Sequence, residues 1–356
     1  MSADPSERRA VISSRWSYVL RRLVLAVPVV VLAASLTFVA VRLGPTDPVG
    51  AIIGPTGDPG RYHEVAVQLG IERRVDGRYV AVPLWEQYVE FMTDLFTLQL
   101  GQSWVISPET SVYAVIASRA PQTLWLAFWS ALVAVGIGVP LGFYAGLHPN
   151  TPADYVASVG GIVWRAMPNF WLAIVVVTLL SQSGRLVGID WAALLVPTDV
   201  VTSPSLTHLH RPERLAAAIK GILPAALVLG SASMGNEMRI ARTAVLETRT
   251  ERYVEAARAK GVPRELVVWK HVFRNALVPL VPVVTGEFFL LVGGAVLVET
   301  VFAINGIGRL FFEAAVQGDL PLVGSLLFLF ALLTIGVNIL QDVLYTLIDP
   351  RVGYER

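Results

Sequence analysis

Four charged residues stand inside otherwise apolar runs of the sequence: Arg165, Glu287, Glu299 and Asp342. An ionised group in hydrocarbon is expensive, so such residues face a bundle interior or an aqueous path. Proton relays use groups of this kind, and so do hydrogen bonds between helices. Glu299 and Asp342 fall near the ends of their runs and read as helix–helix hydrogen-bonding groups. Glu287 lies nine residues into its run and is the candidate for lining a pathway. His208 and His210 form an H-x-H pair in a loop rich in Ser, Thr and Pro. A metal there would need a further ligand, so the pair reads as part of a solvated loop. His63-Glu64 is not part of an H-E-x-x-H motif. The only lysines are Lys220, Lys260 and Lys270, none in a G-x-x-x-x-G-K-[ST] context, which excludes a P-loop. With no cysteine there is no disulfide, thiolate metal site or cysteine nucleophile. No nucleophile–base or paired-carboxylate spacing is visible. The expectation is no catalytic residue, no metal and no cofactor.

The segment from Arg239 to Pro279 carries a different kind of chemistry, that of recognition. It is basic and rich in good helix formers as far as Lys260. Gly261 stands where a helix would end in a left-handed residue, and Pro263 follows as a stop. A short amphipathic helix, a glycine hinge and a second helix would make a compact knob suited to docking into a groove on another protein. A merely solvated basic loop would explain the charges. It would not explain Glu255-Ala256-Ala257 followed by Gly261.

These residues must be positioned by elements, and the composition says which kind. Of the 356 residues, 54% are hydrophobic and 15% are charged, against about 25% charged in an average soluble domain. Mean hydropathy is +0.60. Length alone would suggest two soluble domains, but the apolar residues are gathered into runs. A bilayer core of about 30 Å needs about 20 helical residues. Six runs meet that need: Leu23–Val41, Thr123–Leu147, Tyr155–Ser181, Ile219–Arg239, Val278–Phe302 and Leu322–Tyr345. The fourth is interrupted by Asn236 and Glu237. The first is longer than the apolar core of a signal peptide and lacks an A-x-A site, so it reads as an uncleaved helix. The fold class is all-α, a polytopic membrane protein with about six transmembrane helices.

Basic residues set the orientation. They crowd the N-terminus (Arg8, Arg9, Arg15, Arg21, Arg22), the 242–277 segment and the tail (Arg351, Arg356), which six spans place on one side. That side is the cytoplasm, so both termini are inside. The chain divides into a cytoplasmic N-terminus at 1–22, helix one at 23–42 and an extracytoplasmic segment at 43–122. A membrane core follows at 123–349, with a cytoplasmic loop at about 242–279, and a tail at 350–356. The net charge of +1 carries no field for nucleic acid.

The 239–279 segment resembles the EAA loop of ABC-importer permeases, in the form found in the dipeptide/oligopeptide/nickel permease family. Glu255-Ala256-Ala257 and Gly261 match the loop's core. His271 through Pro279, with Arg274 and Asn275, match the family's H-x-x-R-N-A-L-x-P ending. Further blocks run in family order: Pro45-Thr46-Asp47-Pro48, Leu69-Gly70-Ile71, Pro83–Tyr88, Leu100–Ser103, Met167–Trp171, Leu223–Ala225, Val298–Phe302, Gly306–Leu310 and Asp349-Pro350-Arg351. Threonine replaces the usual glycine at Thr46, and residues 73–82 look like an insertion. Asn305 stands where proline is common, and Glu287 where glutamine is. The resemblance implies an ABC importer type I-like permease fold and no ATPase activity in this chain. It implies a second homologous permease subunit, two cytoplasmic ATP-binding subunits and an extracytoplasmic substrate-binding protein, in a cell membrane whose lipid is a further partner. Substrates in the family include dipeptides, oligopeptides, nickel chelates, glutathione and oligosaccharides; the long 43–122 segment fits the B-type subunit. The EAA loop's Glu255, Ala256, Ala257, Gly261, Arg274, Asn275 and Pro279 are the implied ATPase-coupling residues. The rival reading, a stand-alone secondary transporter, would show inverted repeats, and none is visible.

Overall fold

The computed structural model describes residues 24–348 except 26, 41, 45–46, 55–57, 195–205, 208, 282–283 and 287–294. It is helical, and the β structure among the described residues is one two-stranded hairpin with an isolated bridge between Gln102 and Ser111. The chain forms two compact units, one of Met1–Ser118 with Leu310–Ile339 and one of Arg119–Arg309 with Leu340–Arg356.

In the first unit the apolar helix α1 (Val27–Ala40) buries Val30, Ala34 and Phe38, spaced as one helical face. Val30 and Ala34 pack with Leu95 and Phe328, while Leu32, Leu36 and Val39 of the opposite face are exposed. That is the pattern of a helix with one face in protein and one in lipid. The 45–48 block supplies a helix start: the Asp47 side chain accepts from the Val49 N–H and Pro48 takes the first position of α2 (Pro48–Ile53). Asp58 and Pro59 repeat the device at α3 (Pro59–Gln68). The 73–82 insertion is a β-hairpin, β1 (Glu72–Val75) against β2 (Arg78–Ala81). Asp76 and Gly77 turn it at φ of 50° and 78°, the backbone an Asp-Gly hairpin turn requires. After α4 (Leu84–Thr97), Asp319 fastens the following loop. Its carboxylate, fully buried, accepts from Ser103 Oγ at 2.6 Å and from the backbone N–H of Trp104, Val105 and Ile106 at 2.9–3.1 Å.

In the second unit two long helices lie side by side, α5 (Val112–Leu147, from Arg119 onward) and, after three shorter ones, α9 (Pro212–Thr248). The contact runs along Gly138, Gly142 and Gly146, one helical turn apart. A Cβ at Gly142 would overlap the Met238 carbonyl, and one at Gly146 would meet the Val245 side chain at 2.7 Å. Glycine lets the backbones touch, and small residues at such spacing are how membrane helices gain packing. The His148–Pro152 turn follows. Asn150 sits at φ +61° and Thr151 caps the next helix, accepting from Asp154 N. Asp154 in turn takes a two-pronged ion pair from Arg242 of α9, at 2.6 and 2.9 Å.

The structure corrects the third span. Tyr155–Ser181 is not one helix but two, α6 (Pro152–Ala166) and α7 (Asn169–Ser181), bent by 99°. Met167 takes extended backbone at ψ 127°, because a residue before proline is driven out of the helical region and Pro168 lacks the N–H to continue the ladder. After α7 comes the short α8 (Ser183–Leu186). The fourth span is longer than read: Asn236 and Glu237 do not interrupt α9, and Glu237 is fully buried within it. Among the described residues three helices are long and apolar enough to cross a membrane, or four if the bent pair is one span, with α1 a shorter apolar helix. Ten of the 25 residues of the fifth run, Glu287 included, lie outside the described residues, as do the side chains of Arg165 and Asp342.

The end of the fifth run is described. Glu299, on α11 (Val296–Val301), is fully buried and accepts from Thr123 Oγ1 at 2.7 Å and from Arg309 N at 2.9 Å. Thr123 accepts from Ile307 N at 2.7 Å. Glu299 thus joins α5 to the start of α12 (Ile307–Gln317), the helix–helix role its place in the sequence suggests. The sixth run is α13 (Leu320–Ile348).

Candidate functional site

The recognition segment folds on the ends of α5 and α9. α9 continues to Thr248, so residues 242–248 are its last turns rather than a loop. Then comes α10 (Arg252–Ala259). It ends as its sequence dictates: Gly261 takes φ +75°, Lys260 N donates to Ala256 O and Val262 N to Ala257 O, the bonds of a glycine-terminated helix. Pro263 does not stop helix formation for long. It caps a second helical segment, Arg264–Leu266, which runs on through a π-helical stretch, Val267–Phe273, into Arg274–Ala276.

The knob has its own core. Val254, Ala257, Val267, Val272 and Ala276 are buried against Ala244 and Val245 of α9, with Phe143 and Leu147 of α5 packed beside them. Three aromatic rings fix the π-helical stretch to α5: Phe143 stacks on Trp269 at 5.9 Å and meets Phe273 edge-on at 4.9 Å, and Trp269 meets Phe273 at 5.1 Å. Arg249 Nη1 donates to Gly146 O at 3.2 Å. The knob is therefore coupled to both long helices.

The E-A-A residues divide. Glu255 and Ala256 are exposed, but Ala257 turns inward and is part of the core. Asn275 is exposed, its Nδ2 donating to the His271 carbonyl one turn earlier at 2.7 Å. Arg274, Pro279 and Gly261 are exposed. Sequence reasoning missed two residues of the outer face, Leu266 and Trp269, which are 50% and 61% exposed. Their spacing of three on one helical segment was the available signal. The packed body thus exposes two apolar side chains and Glu255, with Arg258, Lys260, Arg264, Lys270 and Arg274 in the same segment. Among the described residues no group of three His, Cys, Asp or Glu side chains could hold a metal.

Residues 138–354 match the family described as the binding-protein-dependent transport system inner membrane component. The chain belongs to this family. A Brucella suis (biovar 1, strain 1330) protein, provisionally named a peptide transport system permease, is 32% identical over 95% of this chain and 99% of its own. The dipeptide transport system permease protein DppB of Escherichia coli K12 is 30% identical over 95% of this chain and 99% of its own. The oligopeptide transport system permease protein AppB of Bacillus subtilis 168 is 28% identical over the same shares. This is a multi-pass membrane permease, a transporter subunit and not an enzyme. The matched region holds the knob, the α5–α9 contact from Gly138 onward and the Glu299 network's α11 and α12 residues.

Proposed function

We propose that the chain is the B-type permease subunit of an ATP-driven, binding-protein-dependent importer of di- or oligopeptides. It forms half of the pathway beside a second, homologous permease, with two cytoplasmic ATP-binding subunits and an extracytoplasmic substrate-binding protein. The full-length similarity to peptide and dipeptide permeases supports the substrate class. The absence of any P-loop in the sequence supports separate ATPases. Both termini and the 242–279 segment lie in the cytoplasm, and 43–122 lies outside. Residues 123–349 are the membrane core and Glu287 lines its path. Glu287→Gln then alters transport rate or its pH dependence and leaves the amount of assembled complex unchanged.

The single observation that carries the coupling role is the knob itself, a packed body joined to α5 and α9 that presents Glu255, Ala256, Leu266 and Trp269 outward. ATPase closure must reach the spans through a contact both parts share, and a floppy loop would absorb the motion. Gly261→Val tests this. No atom lies within 4 Å of a Cβ there, so the harm comes from backbone alone. An L-residue at that left-handed position costs about 1 kcal/mol or more, more again for a β-branched one. The expected variant inserts in the membrane but loses substrate-stimulated ATP hydrolysis and uptake in proteoliposomes. Unchanged stimulation and uptake would refute the coupling role.

A further inference from the structure

Three blocks of the 43–122 segment have no part in coupling: Leu69-Gly70-Ile71, Pro83–Tyr88 and Leu100–Ser103. The fold of the first unit brings all three to one cavity of about 310 Å³, closed by the end of α1 and the start of α13. Phe38, Phe91 and Leu320 contribute apolar surface to it. Arg42, Gln87, Glu90 and Asp94 contribute polar and charged groups.

Two of these side chains hold hydrogen-bonding capacity that the protein leaves unused. Arg42 donates from Nη2 to Leu69 O at 3.3 Å, and its guanidinium lies 5.5 Å from the centre of the Trp104 ring. Its Nε is buried without a partner among the described residues. Gln87 is 7% exposed and donates from Nε2 to Val82 O at 2.7 Å. Its Oε1 is likewise buried and unpartnered. Buried polar atoms are normally paired, and an orphan calls for an explanation. Glu90 acts electrostatically on Arg42. Gly70, at φ +66°, takes a left-handed backbone beside Glu90, where a Cβ would stand 3.7 Å from Glu90 Oε2. Burial pushes the Asp94 carboxyl up from its ordinary range, so a cation that favours its ionised form would be welcome there.

We propose that this cavity binds a small zwitterion, with its carboxylate at Arg42, its ammonium at Glu90 and Asp94, and its stem on the apolar surface. The two charged ends of a short peptide have this chemistry, so the inference rests on the peptide reading and adds a site in the first unit of the permease chain. Two carboxylates against one guanidinium also make a dicarboxylate a poor occupant, because like charges would face each other.

The test uses the assembled transporter in nanodiscs without its binding protein, titrated calorimetrically with dialanine, N-acetyl-dialanine amide and succinate. Dialanine should bind, and the uncharged amide and succinate should bind about tenfold more weakly or not at all. Arg42→Gln and Glu90→Gln should each weaken dialanine binding about tenfold, with the melting temperature of the complex unchanged and Arg42→Lys retaining part of the affinity. If the glutamine variants do not assemble, the ranking of the three probes on the parent decides. Equal binding of the neutral amide, or no dialanine binding by the parent, overturns the site. Peptide uptake in proteoliposomes supplied with the binding protein separates the two claims. Uptake without dialanine binding sinks the cavity alone, whereas dialanine binding without peptide uptake sinks the transport reading.

Discussion

Glu299 shows how one carboxylate can dictate its neighbours. Its oxygens are held by Thr123 and by the backbone of Arg309, and the chain passes so close that a Cβ at Gly306 would stand 2.5 Å from the carboxylate. Gly306→Ala should therefore lower stability by about 1–3 kcal/mol through overpacking, read as a drop in the melting temperature of the purified permease. Adding Glu299→Ala should cost less in that background than in the parent, because the two changes share one contact. Gly306→Ala that melts with the parent would contradict the geometry. The sequence carried half of this. The charge at the end of an apolar run marked Glu299 as a hydrogen-bonding group, but nothing local named Thr123, which lies 176 positions away. Asp319 is harder still, since an acidic residue between two helices looks like ordinary solvated surface. Only the return of the 103–106 backbone makes it the best-satisfied carboxylate of its unit.

Helices were legible where one physical signal governed them. Hydropathy marked α5, α9 and α13, and the Ala-rich stretch ending in Gly261 marked α10 to within a residue of its end. The third span was misread because hydropathy is blind to Pro168. The fourth looked interrupted because two polar residues counted against burial in lipid, whereas Glu237 is buried in protein and the helix runs through both to Thr248. The cavity beside Arg42 was not legible at all, since its walls come from segments more than 200 positions apart. Helix contact gives a paired prediction. Gly136 and Gly142 are both inside α5, but a Cβ at Gly136 meets nothing within 4 Å and one at Gly142 meets the Met238 backbone. Gly136→Ala should hold or raise the melting temperature, gaining up to about 1 kcal/mol of helix propensity. Gly142→Ala should lower it and reduce the folded permease recovered from membranes. The reverse order would mean that α5 and α9 do not meet along this face.

At the scale of the molecule the testable claim is topology. Charge asymmetry would put Arg78, at the tip of the hairpin, outside and Lys260, at the end of α10, inside. An alkaline phosphatase fusion after Arg78 should be active and one after Lys260 inactive, and the opposite result would invert the orientation. The glycine contact then has a mechanical meaning. α9 is 37 residues long, about 55 Å at 1.5 Å per residue, and three prolines notch the two rods: Pro121 and Pro140 in α5 and Pro224 in α9. Each removes a backbone bond and marks where a lone helix would flex. Pro140 lies between Gly138 and Gly142, where α9 acts as a splint across the notch. Pro224 is bridged as well, since Trp125 Nε1 donates to Ala218 O at 3.3 Å before it and Gly230 lies against the Ser130 backbone after it; Pro121 alone precedes these contacts. A load applied at Thr248 would then travel along a doubled beam that resists bowing, and the compliance would be left to the start of α5, ahead of the first point of contact.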